Sequence, residues 1–532
     1  MNWRWIPVTL VGVMVLCTAA LVTVIVVDLR DRGLEAVIGS SAAQSMGAGQ
    51  MQPRSYASGN NPIRIMLLDT PEDGDTTDVL EVVNAMNGPD APPLPTSFGP
   101  RTSHVTSAPA PRPFGDGGYT IQLASQSPVG TPKVHGGRVY VDGGFNSYVG
   151  YAFDASSGSP VWAVTMDDGG PSAADADDDL CVFNTESCSI FAFDANTGRM
   201  RWAYWLADPQ ISRPALAGDL VISSYPHMGG LHMNYTFDTT QDDRHITATH
   251  AVVALDRRDG SIRWQKWIDG DIMTQPVPDL DRNVLHFATF SGTVYQIDMA
   301  TGDFVAAHAN RATSAPVPSD QRLYYTAHTR PFGEEPVEAI VVDDARTGDR
   351  IATFAAADAP HLDPQVQRRT NYANQGRVLD AGNGFGDGAP PATNADVAFG
   401  NIGLKSVATL QTYEGARPTL SIDGERAFLT RGDRVVCVDL ASGAEVWSHA
   451  VEGNLRREGG MLATPPAAAG DAVVFGTLGG QLIHLDAQTG DVVGRARLGQ
   501  PLRSKPTLAA GNAYVGTETG SLIMLPLAAF PR

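Results

Sequence analysis

One short phrase occurs seven times along this chain, an Asp followed four residues later by a Gly. The seven copies lie at 154–158, 194–198, 256–260, 298–302, 344–348, 439–443 and 486–490. Most neighbouring copies are 40 to 47 residues apart, a spacing typical of radial or solenoid β repeats. An Asp that accepts hydrogen bonds from following N–H groups, with a Gly free to take a positive φ, predicts a hairpin corner.

Around each corner the sequence predicts four antiparallel strands. A strand led by Pro is followed by a polar turn, two apolar strands, the corner and a last strand. In four copies a Trp stands four residues beyond the Gly: Trp162, Trp202, Trp264 and Trp447. Three copies have Ala306, Ala352 or Gly494 there, so these units must pack differently.

An eighth copy begins at Lys505 but stops before its fourth strand. An apolar stretch near the start of the repeats, residues 119–123, is suited to supply that strand. Joining the two ends removes exposed sheet edges and closes a ring. We therefore expect an all-β fold over residues 116–532, an eight-bladed β-propeller of four-stranded blades.

The Asp-x-x-Thr/Ser-Gly-x-x-x-Trp phrase, over about residues 119–527, resembles the PQQ-like β-propeller repeats. Such repeats occur in quinoprotein alcohol dehydrogenases and in the periplasmic lipoprotein of the outer-membrane barrel-assembly machinery. The resemblance implies that the four tryptophans dock neighbouring blades. It does not separate catalytic from binding-only members, because both use the same fold.

The first 33 residues predict a membrane anchor. Residues 6–27 carry no charge and are long enough, at about 33 Å as a helix, to span a bilayer. A signal peptide cleaved near residue 44 is the alternative, but the apolar run is longer than such signals usually have. We expect an uncleaved single-pass helix in a bacterial inner membrane, with the propeller on the periplasmic side. Residues 34–115 are predicted to be a disordered Pro/Gly/Ser-rich linker, in which 62–87 has the pattern of a short strand and helix.

Two cysteines favour an oxidising compartment. A hairpin centred between Asn184 and Thr185 would set Cys181 opposite Cys188, within reach of a disulfide. The alternative is that both are small residues on a buried blade face. Cys437, in an apolar strand, is expected to be a buried free thiol.

Two insertions mark one face of the ring, at 223–250 and at 353–412. In an up-and-down blade both emerge on the same side, and loops on a rigid scaffold commonly carry function. We name as candidate binding face the residues Tyr225, His227, His232, His245, His250, His328 and His361. Its imidazoles suit a transition metal or a haem iron, while the alternative is a packed cover loop.

Two functions from different classes remain. One is a noncatalytic module of the cell envelope, a monomeric ring that needs no cofactor and binds a partner protein or an envelope polymer. The other is a dehydrogenase that uses pyrroloquinoline quinone and Ca²⁺, and it lacks support because this chain has no adjacent cysteine pair. We assign no catalytic residue and favour the binding module. A formal charge of −20 and the lack of a basic stripe argue against nucleic-acid binding.

Overall fold

The computed structural model describes residues 64–68, 78–144, 147–185, 189–207, 212–226, 232–237, 243–248, 250–270, 272–289, 292–310, 312, 314–328, 338–355, 420–453 and 462–531. The predicted membrane helix lies outside these ranges. Within them, no helix has both the length and the apolar character that crossing a membrane requires.

Eight antiparallel sheets, the blades, make up the fold, and their strands are numbered from the axis outward. Blades 1 to 4 consist of Lys133–His135, Arg138–Asp142, Val149–Asp154, Pro160–Met166; Asp175–Ala176, Leu180–Asn184, Ser189–Asp194, Met200–Trp205; Ala215–Ala217, Leu220–Pro226, His250–Asp256, Ile262–Ile268; and Val277–Asp279, Val284–Ala288, Thr293–Asp298, Phe304–Ala309. Blades 5 to 8 consist of Val317–Ser319, Arg322–His328, Glu338–Asp344, Arg350–Ala355; Ser421–Asp423, Arg426–Arg431, Arg434–Asp439, Glu445–Ala450; Ala467–Ala469, Ala472–Gly476, Gln481–Asp486, Val492–Arg497; and Thr507–Ala509, Asn512–Gly516, Ser521–Pro526, Gly118–Gln122.

The ring closes as the sequence predicts. The eight innermost strands contact one another in chain order, and that of blade 8 contacts that of blade 1. The fourth strand of blade 8 is Gly118–Gln122, which pairs antiparallel with Ser521–Pro526. Strands from the two ends of the ring therefore share one sheet, and the eight-bladed propeller is confirmed.

The corner phrase forms the predicted turn. At the first copy, Asp154 Oδ1 accepts N–H groups of Ser156 and Ser157 at 3.1 and 2.8 Å, and Gly158 N–H donates to the Asp154 carbonyl at 2.8 Å. The hydroxyl of Ser156 and these N–H groups lower the pKa of Asp154. All seven corner glycines have φ between 69° and 77°, a region that other residues avoid.

Each of the four tryptophans docks onto the next blade. The indole N–H donates to the carbonyl of the residue just after the next corner Asp, at 2.8 to 3.0 Å. The ring also lies against that corner's Gly: a Cβ on Gly302 would stand 2.7 Å from the ring of Trp264. The Gly is thus required by its φ and by the indole above it.

In blades without the Trp, the smaller side chain on strand 4 is paired with a larger one on strand 3. Every Trp is paired with a small residue on strand 3, namely Ala152, Ala192, Ala254 and Cys437. Where the Trp is lost the paired residue is larger, giving Gln296 with Ala306, Val342 with Ala352 and His484 with Gly494. In two of these blades another ring covers the Gly of the next corner: His308 lies on Gly348 and Phe354 on Gly443. In blade 7, Phe530 packs on Gly494 itself.

The linker prediction fails for residues 78–114, which we call the N-terminal belt. Its short strands Gly99–Pro100, Ser103–Val105 and Arg112–Phe114 add a fifth strand to blades 2, 1 and 8. Its helix, Leu80–Met86, buries Val82, Val83 and Met86 in the apolar core shared by blades 3 and 4. The belt is held in place by hydrogen bonds to the backbone at the blade edges and by this apolar contact. Neither can be recognised from amino-acid composition.

The predicted Cys181–Cys188 hairpin register is wrong. Cys181 lies opposite Phe193 and Asn184 opposite Ile190, and Thr185 N–H donates to Ser189 O at 2.8 Å, so the hairpin is not centred between Asn184 and Thr185. Cys188 itself lies outside the described residues. Cys181 is a buried free thiol, so the predicted bridge is not formed; burial raises its pKa. Cys437 is also a buried free thiol, as predicted, with a pKa raised by burial to about 11.

Candidate binding face

The propeller has two faces of different make-up. The corner face carries the Asp-to-Gly corners and the short turns between strands 1 and 2. The loop face carries the connections between strands 2 and 3 and those between blades. Because strands alternate in direction, both insertions belong to the loop face.

The blade 3 insertion folds into its own sheet. It connects Leu220–Pro226 to His250–Asp256 and contains the hairpin His232–Phe237 and Asp243–Thr247. The strand Arg64–Leu68 pairs with the first hairpin strand in parallel. Chain from before the belt thus joins the loop face. The blade 5 to 6 insertion begins after Ala355, at the end of the blade's outer strand, and lies outside the described residues.

Two predicted face residues are instead buried supports. Tyr225 is fully buried, donates its hydroxyl to Gln265 Oε1 at 2.5 Å and meets the ring of Phe98 edge-on at 5.5 Å. His250 is buried as well, because strand pairing continues to the pair Pro226 and His250. Both hold the base of the insertion rather than offer a contact surface.

The other predicted histidines are spread out along the backbone. His232 pairs with Thr247 and His245 with Asn234 in the insertion hairpin, and His328 ends strand 2 of blade 5. His227 and His361 lie outside the described residues. In the described ranges, no three His, Cys, Asp or Glu side chains are grouped as a metal site requires.

Buried carboxylates fix the loops of this face. Asp269 leaves the outer strand of blade 3 and accepts the hydroxyls of Thr289 and Thr293 from the blade 4 hairpin, at 2.7 and 2.5 Å. Burial raises the pKa of Asp269, while the hydroxyls oppose that shift. These bonds hold the blade 4 hairpin to blade 3 and restrict the movement of this loop.

An exposed aromatic stands over blades 1 and 2. Tyr148 is 53% exposed, and its ring lies against Gly169. Nearby, Arg101 of the belt donates from Nε to Ser189 Oγ at 3.0 Å, and Asp168 lies 3.7 Å from its Nη2. Tyr and Arg are among the residue types enriched at binding hot spots. Tyr148 was not among the predicted face residues, although it lies in the loop between strands 2 and 3 of blade 1.

One carboxyl of the loop face titrates near neutrality. Glu518, in the blade 8 hairpin, has its pKa raised to about 7 by burial, with the charge of Arg503 opposing the rise. Its Oε2 lies 3.6 Å from Arg503 Nε. The flanking hydroxyls of Thr517 and Thr519 donate to Gln500 Oε1, which holds the hairpin in place.

The innermost strands of the ring carry little positive charge that could bind a quinone. The eight innermost strands contain one Lys or Arg, Lys133, and its Nζ is already 2.7 Å from Asp175 Oδ1. Asp175 Oδ2 also accepts the N–H of Leu216 at 2.8 Å. Pyrroloquinoline quinone carries several carboxylates, which require cationic or N–H partners. These strands offer it no free cation.

Comparison with known proteins gives one family. The family model described as outer membrane protein assembly factor BamB matches residues 121–354 and 414–527. Among curated proteins, no sequence matches this chain.

Solved structures with a similar fold come from several sources. BamB from Moraxella catarrhalis is 16% identical, with 76% of this chain and 98% of that chain covered and a TM-score of 0.49. The computationally designed Ika8 protein is 14% identical, with 76% and 98% covered and a TM-score of 0.48. The quinohemoprotein alcohol dehydrogenase ADHIIG from Pseudomonas putida HK5 is 11% identical, with 78% and 76% covered and a TM-score of 0.49.

Proposed function

The chain belongs to the family of the outer membrane protein assembly factor BamB, and on that premise we propose that it is a noncatalytic binding module of a bacterial cell envelope. Its loop face holds a partner protein in outer membrane protein assembly. Residues 6–27 anchor the chain in the inner membrane, and the ring lies on the periplasmic side.

The contrast between the two faces carries this proposal. Turns of the corner face follow one minimal plan, repeated seven times with the same φ at the Gly. The loop face departs from that plan: it carries the blade 3 hairpin with its added strand Arg64–Leu68, and the exposed Tyr148. Departures from a repeat on a rigid scaffold indicate where binding is located.

Deleting residues 228–247 tests this function. The hairpin it removes pairs with Arg64–Leu68 and not with blade 3, whose strands already meet at Pro226 and His250. The variant should therefore unfold as cooperatively as the wild type while losing capture of the partner from the envelope. Partner capture unchanged by the deletion would contradict the proposal.

A pair of point variants gives the matched control. Tyr148→Ala removes an exposed ring from the loop face and should weaken partner binding at least about fivefold, as loss of a hot-spot aromatic does. Gln488→Ala changes an exposed side chain in a turn of the corner face and should leave affinity unchanged. Equal losses in the two variants would count against the loop face.

A further inference from the structure

Six of the eight blades have the outer edge of their sheet covered by another part of the chain. On each outer strand, the residue one position past the Trp site turns its backbone groups outward. In blades 1, 2 and 4 the carbonyl of this residue accepts an N–H from the belt, as Ala163 from Thr106 at 2.9 Å, Ala203 from Arg101 at 3.0 Å and Ala307 from Val79 at 2.9 Å.

Blades 3, 7 and 8 are covered by other means. The Asn87 side-chain amide bonds both backbone groups of Trp267, at 2.7 and 3.1 Å, and so imitates a strand on blade 3. On blade 7, Arg495 N–H donates to Pro531 O at 2.8 Å. Blade 8 receives the strand Arg112–Phe114.

Blades 5 and 6 have no such cover within the described residues, and both sheets end at their fourth strand. In blade 6 the outer strand Glu445–Ala450 pairs with Arg434–Asp439 on the inner side only. Ser448 holds the position whose backbone is bonded in the other blades, and it is exposed. Val446, on the same outer strand, is 45% exposed.

We propose that this edge of blade 6 accepts an extended, acidic segment of a partner polypeptide as a fifth, antiparallel strand. Six other blades of the ring bond their outer strands to an added segment, so the edge geometry is suited to one. An uncovered edge is also a template for strand addition, the recognition mode that uses main-chain hydrogen bonds. The site is separate from the loop face, so an experiment can confirm or contradict it independently of the proposed function.

Charge around the edge selects the partner. Arg495 and Arg497 are exposed on the adjoining outer strand of blade 7, and neither forms an ion pair with a described residue. Arg495 is close enough to His449 of blade 6 to help lower the pKa of that imidazole, after burial. Glu445 lies at the other end of this strand, so on a chain of net charge −20 the half near His449 is locally basic and favours carboxylates. A second copy, with the same arginines, is a poorer occupant.

Ser448→Pro tests the backbone directly. It removes the outward N–H, and proline is tolerated on an edge strand whose N–H faces solvent. Ser448→Ala keeps the N–H and is the matched control. Val446→Lys, with Val446→Thr as its control, puts a charge on the same edge and provides a second test if the proline variant unfolds early.

The assay is site-specific photocrosslinking of the full chain in its native host. A photoreactive residue at Ala450, on the same outward side, is combined with each Ser448 variant, and adducts are mapped by mass spectrometry. We expect an adduct to an acidic segment of another protein, reduced at least about tenfold by Ser448→Pro and unchanged by Ser448→Ala. Arg495→Glu should weaken the same adduct, whereas deletion of residues 228–247 should leave it.

Three results would overturn the proposal. The first is no adduct at all through Ala450. The second is an adduct to residues 356–419 of this chain or to a second copy of it. The third is a partner adduct that survives Ser448→Pro in a folded protein, since the edge backbone would then play no part.

Discussion

The contact between blades 3 and 4 can be tested by two substitutions. The first removes the docking tryptophan of blade 3, and the second adds the aromatic ring that blade 5 uses in its place. Trp264 donates to Met299 O at 2.8 Å, and its ring covers Gly302. In blade 5 the Trp site is Ala352, and Phe354 two residues later covers the next corner Gly instead. The residue that corresponds to Phe354 in blade 3 is Lys266.

The magnitudes follow from burial. Trp264→Ala removes a ring that is 8% exposed and leaves the Met299 carbonyl unpaired, a loss of about 4 to 5 kcal/mol. With an unfolding entropy of about 2 cal/mol/K per residue over roughly 400 residues, the melting temperature should fall by about 5 °C. Adding Lys266→Phe should recover about 1 to 2 kcal/mol, because the new ring occupies the place above Gly302.

Calorimetry of the four proteins in this double-mutant cycle gives the answer. When Trp264 is present its ring already covers Gly302, so Lys266→Phe only removes an exposed ion pair to Asp303. This substitution alone should therefore change the free energy of unfolding by no more than about 0.5 kcal/mol. The coupling energy should therefore be favourable by about 1 kcal/mol or more. If Lys266→Phe changed the free energy of unfolding equally with and without Trp264, the two rings would not share the site above Gly302, and this interpretation of the contact between blades 3 and 4 would be wrong.

Three further predictions concern buried groups. Because the pKa of Glu518 in the folded protein is raised to about 7, ionising this carboxyl destabilises the fold as pH rises from about 4.5 to 7. Urea titration should therefore show Glu518→Gln to be more stable than the wild type by up to about 2 kcal/mol at pH 8, and equally stable below pH 4. Arg350 Nε lies 2.6 Å from the buried Asp343, so Arg350→Ala should cost about 3 to 5 kcal/mol in thermal unfolding. Asp343→Leu with Arg350→Ile, the pair used in blade 3, should cost less, about 1 to 2 kcal/mol, because only the Tyr325 hydroxyl, which donates to Asp343 Oδ2 at 2.6 Å, then loses its acceptor. Cys181 should resist a thiol reagent in the native state and react fully in denaturant, whereas fast native labelling would show that its strand is not buried.

The repeat was predictable because its determinants are local. The corner Asp, the positive-φ Gly and the alternation of apolar residues lie within one blade, and seven copies remove accidental matches. Ring closure was also predictable, since a blade short of one strand at Leu525 leaves Gly118–Gln122 as the matching partner.

The belt, the insertion sheet and the Cys181 register were not predictable, and for one reason. Each is decided by partners far away in sequence: Val79 bonds a carbonyl of blade 4, and Arg64–Leu68 pairs with a hairpin in blade 3. The turn after Asn184 is set partly by Asp168, which bonds the hydroxyls of Thr185 and Ser189 from another blade. The belt was predicted to be a linker from its composition. The backbone groups at a blade edge can bond a segment of almost any sequence, so the belt carries no pattern that indicates this pairing.

Reconstitution with pyrroloquinoline quinone and Ca²⁺ tests the central claim most directly. The full-length protein is titrated with quinone, and bound cofactor is followed by absorbance and by calorimetry, together with dye reduction by a panel of alcohols and sugars. Since the one Lys of the innermost strands already pairs with Asp175, a binding module should show neither stoichiometric quinone binding nor alcohol-dependent dye reduction. Tight one-to-one quinone binding with dye reduction by any of these substrates would contradict the account and make the protein a dehydrogenase.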